Sequence, residues 1–246
     1  QTALQATTVA DVEAELAFGK QIAARVLGRV GLDDSHPQVT RYVNLVGKAV
    51  ALHSNRPELE FRFAILDSDN VNAYSAPGGY VFITRGALQS LHDEAELAAV
   101  LAHEVAHVTE RHIVRQFNVK GNDDSAISSL SRLIGGSQDS ARVAFSQAVD
   151  KAMDVLFKNG FKQKDELQAD RVATLLLASA GYDPTSLQRY LKRLHKRSRH
   201  HEDVNSTHPP TTERLSQLDQ LLRHEGLTGL NFPRAAKRFK VNARMD

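Results

Sequence analysis

The chain of 246 residues is 41% hydrophobic and 24% charged, with 14 glycines and 7 prolines, a balance that excludes collagen-like, disordered and low-complexity classes. It has no cysteine, which excludes disulfides, thiolate nucleophiles, iron–sulfur clusters and Cys-ligated zinc, and its longest apolar runs, such as 97–102, fall far short of the roughly 20 residues of a membrane span. The net charge is only +2, yet residues 189–246 hold 13 Lys and Arg against 6 Asp and Glu; a solvated helix face is the first expectation for that basic end and an anionic membrane surface the second.

Two amphipathic helices open the chain. Val9, Val12, Leu16, Ile22, Val26 and Val30 recur at helical spacing and Gly31 closes the segment. Ser35, with Pro37 just inside, starts a second helix carrying Val39, Val43, Val46 and Val50. The period then changes to two: Leu59, Phe61, Phe63 and Ile65 alternate with Glu60, Arg62 and Ala64, the pattern of a half-buried strand. Turn residues at 67–70, a strand at 71–75, a Pro77-Gly78-Gly79 turn and a β-branched and aromatic strand at 80–84 follow, and together predict a small antiparallel meander.

From Asp93 the pattern is again helical. Asp93 and Glu96 have the spacing of a capping box, ahead of a stripe of Leu97, Val100, Leu101, Val105 and Val108. Residues 118–140 are polar and interrupted by Gly121, Gly135 and Gly136, as in a loop or a lid over a site. Phe145, Val149, Ala152, Met153 and Leu156 return to helical spacing, and further helices are predicted at about 164–180, 184–199 and 211–224. The expectation is a mostly helical α+β chain, one domain over 1–246. Its N-terminal lobe spans about 1–117, a lid or insert about 118–160, and a helical C-terminal lobe about 161–246.

His103-Glu104-Val105-Ala106-His107 is an H-E-x-x-H sequence inside that helix. At about 100° per residue the two histidines share one face, so both imidazoles can bind one zinc ion while Glu104 lies beside the attacking water. A catalytic zinc needs a third protein ligand and an open fourth position. Glu166, at the start of a later helix, is the candidate third ligand, and Asp170 one turn on can accept a hydrogen bond from the far nitrogen of a ligand histidine. Taken alone, acids in a first helical turn complement the helix dipole.

Val71-Asn72-Ala73, Pro77-Gly78-Gly79, Thr84-Arg85-Gly86, the run 94–104, Glu166-x-x-Ala169-Asp170-Arg171 and Thr207-His208-Pro209-Pro210 occur in an order that resembles the gluzincin metallopeptidases related to HtpX and the CAAX prenyl endopeptidase (metallopeptidase family forty-eight), and among them the soluble periplasmic members typified by BepA and LoiP. The resemblance covers roughly residues 8–224. It implies a zincin-like fold with the meander packed against the active-site helix, one Zn2+ per chain held by His103, His107 and Glu166, Glu104 as catalytic base, and Asp170 as support to a ligand. It further implies an endopeptidase acting on unfolded or misassembled proteins in envelope quality control. The implied location is the periplasm of a Gram-negative bacterium, with peripheral membrane association as an option. A chain that begins at Gln1 is expected to have lost an export leader.

His208, on a proline-stiffened loop, is the leading catalytic candidate for stabilising the tetrahedral oxyanion, with Arg214 and Tyr74 behind it; in some relatives the matching histidine instead occupies the fourth zinc position and holds the enzyme latent. Asn72, Ala73, Tyr74 and Ser75 are expected to bind substrate as an added strand on an exposed sheet edge. The alternative to a peptidase is a chaperone or assembly factor with a latent zinc site. Nucleic acid is not an expected partner: the basic run carries a single aromatic, Tyr190, and no recognisable binding motif.

Overall fold

The computed structural model describes residues 8–121, 139–199, 207–208 and 211–245. Most of the expected lid at 118–140, and both prolines after His208, lie outside the described residues.

Thr8 and Asp11 form a reciprocal capping box at the start of α1 (Val9–Val30), which Gly31 ends at φ 87°. Ala14, Phe18, Ile22 and Val26, at four-residue steps, face the core, whereas Val9 and Leu16 are exposed. The reason is angular: Leu16 lies about 160° around the helix from Phe18. α2 (Pro37–Ala51) has Pro37 in its first turn, but the residue before it is His36 rather than the expected Ser35, and no side chain caps the helix.

The three strands are β1 (Arg62–Leu66), β2 (Ala73–Ala76) and β3 (Tyr80–Thr84), in the order β1-β3-β2. β2 and β3 are an antiparallel hairpin around Pro77-Gly78-Gly79, with both glycines at positive φ. β1, however, runs parallel to β3, so the sheet is mixed and the expected antiparallel meander is corrected. Alternation tells which face of a strand is buried, not which strand lies beside it. β3, with Val81, Phe82, Ile83 and Thr84 all buried, takes the centre, and β1 is covered on its outer edge by the chain after α1 through Asp33 N–H to Ile65 O (2.9 Å) and Asp67 N–H to Gly31 O (3.2 Å).

Helices follow as α3 (Arg85–Gln89), α4 (Glu94–Thr109), α5 (His112–Gln116), α6 (Asp139–Asp154) running into a widened turn at Val155–Asn159, α7 (Gln163–Ser179), α8 (Ser186–Arg199), α9 (Thr212–His224) and α10 (Ala236–Asn242). The sheet separates two cores. Phe63, Ile65, Ala73, Val81 and Ile83 pack with α2, α4, α7 and α8. Leu66, Tyr74, Ala76 and Phe82, one residue out of phase, pack with α1, α6 and the widened turn.

α4 is not the one-striped helix its periodicity predicts: all sixteen of its residues are buried. Burying acids unpaired costs several kcal/mol each, and here arginines from the C-terminal half offset it. Asp93 caps the helix by accepting from Glu96 N–H (2.9 Å), while Glu96 accepts from His92 N–H and is gripped by Arg189 and Arg193. Glu94 accepts from Tyr42 (2.7 Å), Tyr182 (2.8 Å) and Arg238. The inner arginines of the basic end are therefore ion-paired partners of α4, which corrects the expectation of a simple solvated face.

Candidate metal centre

His103 and His107 stand one turn apart in the middle of α4, both nearly inaccessible. Against them α7 presents Glu166 in its first turn, and the segment before α9 presents His208. One donor atom from each of His103, His107, Glu166 and His208 lies within 4.8 Å of every other. His103 Nε2 is 3.0 Å from His107 Nε2, 3.4 Å from His208 Nδ1 and 3.4 Å from Glu166 Oε2; Glu166 Oε1 is 3.4 Å from His107 Nε2 and 2.7 Å from His208 Nδ1. A tetrahedral zinc site with metal–ligand distances near 2.1 Å has donor–donor edges of about 3.4 Å. The donor set, His208 included, therefore fits a small divalent cation in both chemistry and spacing.

The surroundings hold the donors in place. Asp170, one turn after Glu166, lies with Oδ1 3.0 Å from His103 Nδ1, which leaves Nε2 of that ring for the metal. Asp170 is held by the buried Arg214 through two parallel contacts of 2.7 Å, and the same guanidinium reaches Glu166 Oε2 (2.8 Å) and donates to the His208 carbonyl (3.0 Å). Arg214 thus ties both carboxylates and the His208 backbone together. These contacts correct its expected place as oxyanion support, because its donors are aimed at the protein.

Glu104 lies between two groups: Ser75 donates to its Oε2 at 2.8 Å, and His208 Nε2 is 3.5 Å from its Oε1. Three carboxylates (Glu104, Glu166, Asp170) against one guanidinium (Arg214) give formal charge −2 before the imidazoles are counted, the complement of a divalent cation. Burial opposes the charged form of Glu166, but His208 and Arg214 hold its carboxyl well below the usual range. Burial likewise disfavours charge on His103, yet Asp170 and Glu166 keep its pKa up at about 9. For His107 burial prevails and the pKa lies well below the ordinary imidazole value, so one ring nitrogen keeps a lone pair for a metal.

The expected substrate segment falls into two halves. β2 is an edge strand with β3 as its one strand neighbour among the described residues, but Ala73, Tyr74 and Ser75 are buried, so the edge is not exposed as expected. Asn72 ties the start of β2 to the His208 segment through Nδ2 to Thr207 Oγ1 (3.4 Å). Strand alternation sends Ser75 to Glu104 and Tyr74 to the other core, where its ring stacks on Phe157 at 4.6 Å. That placement corrects Tyr74 as an oxyanion candidate. Beside His103 and Glu104 lies a cleft walled by Val71, Ala87, Val100, Leu187, Leu191 and Leu194 among others.

Two residues that the sequence reading passed over also shape the site. Phe161 stacks on the His107 ring at 3.9 Å. Gly160, at φ 69°, brings the backbone against Thr207, where an added Cβ would sit 2.3 Å from the Thr207 carbonyl oxygen. Gly160→Ala is expected to cost about 1–3 kcal/mol for the backbone alone, since φ 69° with ψ 179° is a region open essentially to glycine, and to push the His208 segment outward. A urea-unfolding midpoint equal to wild type would contradict this close approach.

A buried helix bearing His-Glu-x-x-His, faced by a carboxylate from a second helix, is the arrangement of HExxH metallopeptidases. The chain belongs to peptidase family M48, whose profile matches residues 37–222. It is 26% identical over 210 residues to the beta-barrel assembly-enhancing protease of Escherichia coli O157:H7, covering 82% of this chain and 42% of that protein. It is 30% identical over 190 residues to the mitochondrial metalloendopeptidase OMA1 of Arabidopsis thaliana (77% and 37%) and 28% identical over 194 residues to that of Schizosaccharomyces pombe (78% and 55%). The chain therefore spans about 42% of the length of the first relative. Among the described residues no helix is long and apolar enough to cross a membrane.

Proposed function

We propose that this chain is a zinc-dependent endopeptidase acting on unfolded or misassembled proteins of the bacterial envelope, on the periplasmic side. The convergence of three imidazole nitrogens and one carboxylate oxygen beside Glu104 carries this reading. A tetrahedral nitrogen and oxygen donor set suits zinc. The names of the relatives, beta-barrel assembly-enhancing protease and metalloendopeptidase, support the substrate class and setting.

His103, His107 and Glu166 would hold the zinc ion, which would polarise the scissile carbonyl and acidify the attacking water. Glu104 takes the water proton on the carboxylate oxygen facing the donor cluster and delivers it to the leaving amine. Ser75 fixes the rotamer of that carboxylate through its other oxygen. The apolar cleft beside Val100 and Leu191 accepts an aliphatic or aromatic side chain of the substrate. The test is casein cleavage by protein carrying one zinc per chain. Cleavage is expected to vanish on chelation and return with zinc, and cleavage by fully metal-free protein overturns the proposal.

One observation favours a resting, latent arrangement. His208 turns Nδ1 to the donor cluster and Nε2 to Glu104, so its ring would stand where a substrate carbonyl has to approach a bound metal. His208→Ala is expected to raise casein cleavage severalfold with zinc still bound. Loss of cleavage would instead favour His208 as an oxyanion donor.

A further inference from the structure

We propose that His112 is a positioning residue for the metal centre: it fixes the ring tautomer of His107 so that Nε2 of His107 is offered to the metal. The inference rests on the metal-centre reading above and goes beyond it, since the assigned donors and Asp170 leave His107 without an account of its second nitrogen.

His112 is buried at the start of α5, with Nδ1 2.8 Å from Nδ1 of His107. Two ring nitrogens at that distance share one hydrogen, and the next link decides which of them carries it. His112 Nε2 lies 3.3 Å from Gln168 Oε1. The Gln168 amide is held at both ends: its NH2 donates to Glu110, and its oxygen accepts from Arg115 Nη2 at 3.2 Å. Its oxygen therefore faces His112, and His112 Nε2 must be the donor. A neutral imidazole protonated at Nε2 bears a lone pair at Nδ1. The shared hydrogen then belongs to His107 Nδ1, and His107 Nε2 is left with its lone pair toward His103 and Glu166, 3.0 and 3.4 Å away.

The opposite arrangement fails at the metal. A hydrogen on His112 Nδ1 would make His107 Nδ1 the acceptor and place a proton on His107 Nε2, where the donor cluster needs a lone pair. The two ligand histidines are thus held differently: His103 by the carboxylate of Asp170, His107 by a neutral ring that is itself set by an amide. The local chain geometry makes this contact. Arg111, at φ 56°, breaks α4 in the left-handed region and turns the chain so that His112, five positions after His107, comes back against it.

The test is the zinc affinity of the purified chain, measured by competition with a chromophoric chelator, together with two-bond proton–nitrogen spectra of the histidine rings. His112→Leu is expected to weaken zinc binding about 10–100-fold. His112→Asn, whose Oδ1 stands where His Nδ1 stood, is expected to recover most of that loss, which a merely structural role would not produce. Gln168→Met, at a partly exposed position, is expected to weaken binding severalfold and keeps the proposal testable if His112→Leu does not fold. In zinc-loaded wild type the spectra are expected to show His112 protonated at Nε2 and His107 at Nδ1. The reverse tautomers, or wild-type affinity in both His112→Leu and Gln168→Met, overturn the proposal and leave the metal centre standing. A wild-type chain that binds no zinc overturns both.

Discussion

Replacing Glu104 with Gln is expected to leave zinc bound at wild-type stoichiometry and to lower casein cleavage by about 10²–10⁴-fold, the usual contribution of a general base. The amide keeps the size of the carboxylate and can still accept from Ser75 at Oε1, so the packing of α4 is preserved. It cannot take a proton from water at neutral pH. Glu104 stands outside the donor set, with its nearest contacts to Ser75 (2.8 Å) and His208 (3.5 Å), and so the variant separates metal binding from chemistry. Metal content and cleavage are measured on the same sample. Residual cleavage equal to wild type would remove Glu104 from the mechanism, and loss of zinc would show that it belongs to the binding site instead.

Arg214→Met is expected to be the most destabilising single change at the site. Its guanidinium is buried and contacts Asp170 twice, Glu166 once and the His208 carbonyl. Removing one partner of a buried, hydrogen-bonded ion cluster costs about 3–5 kcal/mol, because the carboxylates left behind are neither solvated nor paired. In a chain of this size each kcal/mol lowers Tm by about 2–4 °C. The metal-free protein should show the full loss, and zinc should restore part of it by neutralising Glu166. A calorimetric Tm within a degree of wild type, with and without zinc, would contradict the role of Arg214 as the tie between α7, α9 and the His208 segment.

Much of the site could be read from local pattern. His103, Glu104 and His107 are a helical triplet whose shared face follows from 3.6 residues per turn, and Glu166 and Asp170 repeat that spacing on a second helix. Helix ends at Gly31, Pro37 and Asp93 were visible because caps act within a few residues. The misreadings occur where a residue's role depends on a distant neighbour. Arg214 as a sequence position is a cation near a histidine; only its burial between two carboxylates shows that its donors are spent. Ser75 was expected beneath a substrate strand and is found on Glu104. His112 was passed over because it lies beyond the helix that carries the motif. The one warning in the sequence is a third histidine five residues after the second, and its meaning depends on the left-handed turn at Arg111.

The amino-acid sequence alone determined the longer helices and the three strands, most of the faces they bury, and the chemistry of the His-Glu-x-x-His motif. Each of these follows from a period of two or 3.6 residues, or from the type of side chain. The tertiary structure decided the order of the strands, the burial of the whole of α4, and the pairing of arginines from the basic end with acids at its start. It also decided which histidines answer to Asp170 and to Gln168. These are contacts between residues far apart in the chain, chosen by the joint cost of burying apolar surface and leaving no buried charge unmet, and no local period encodes them.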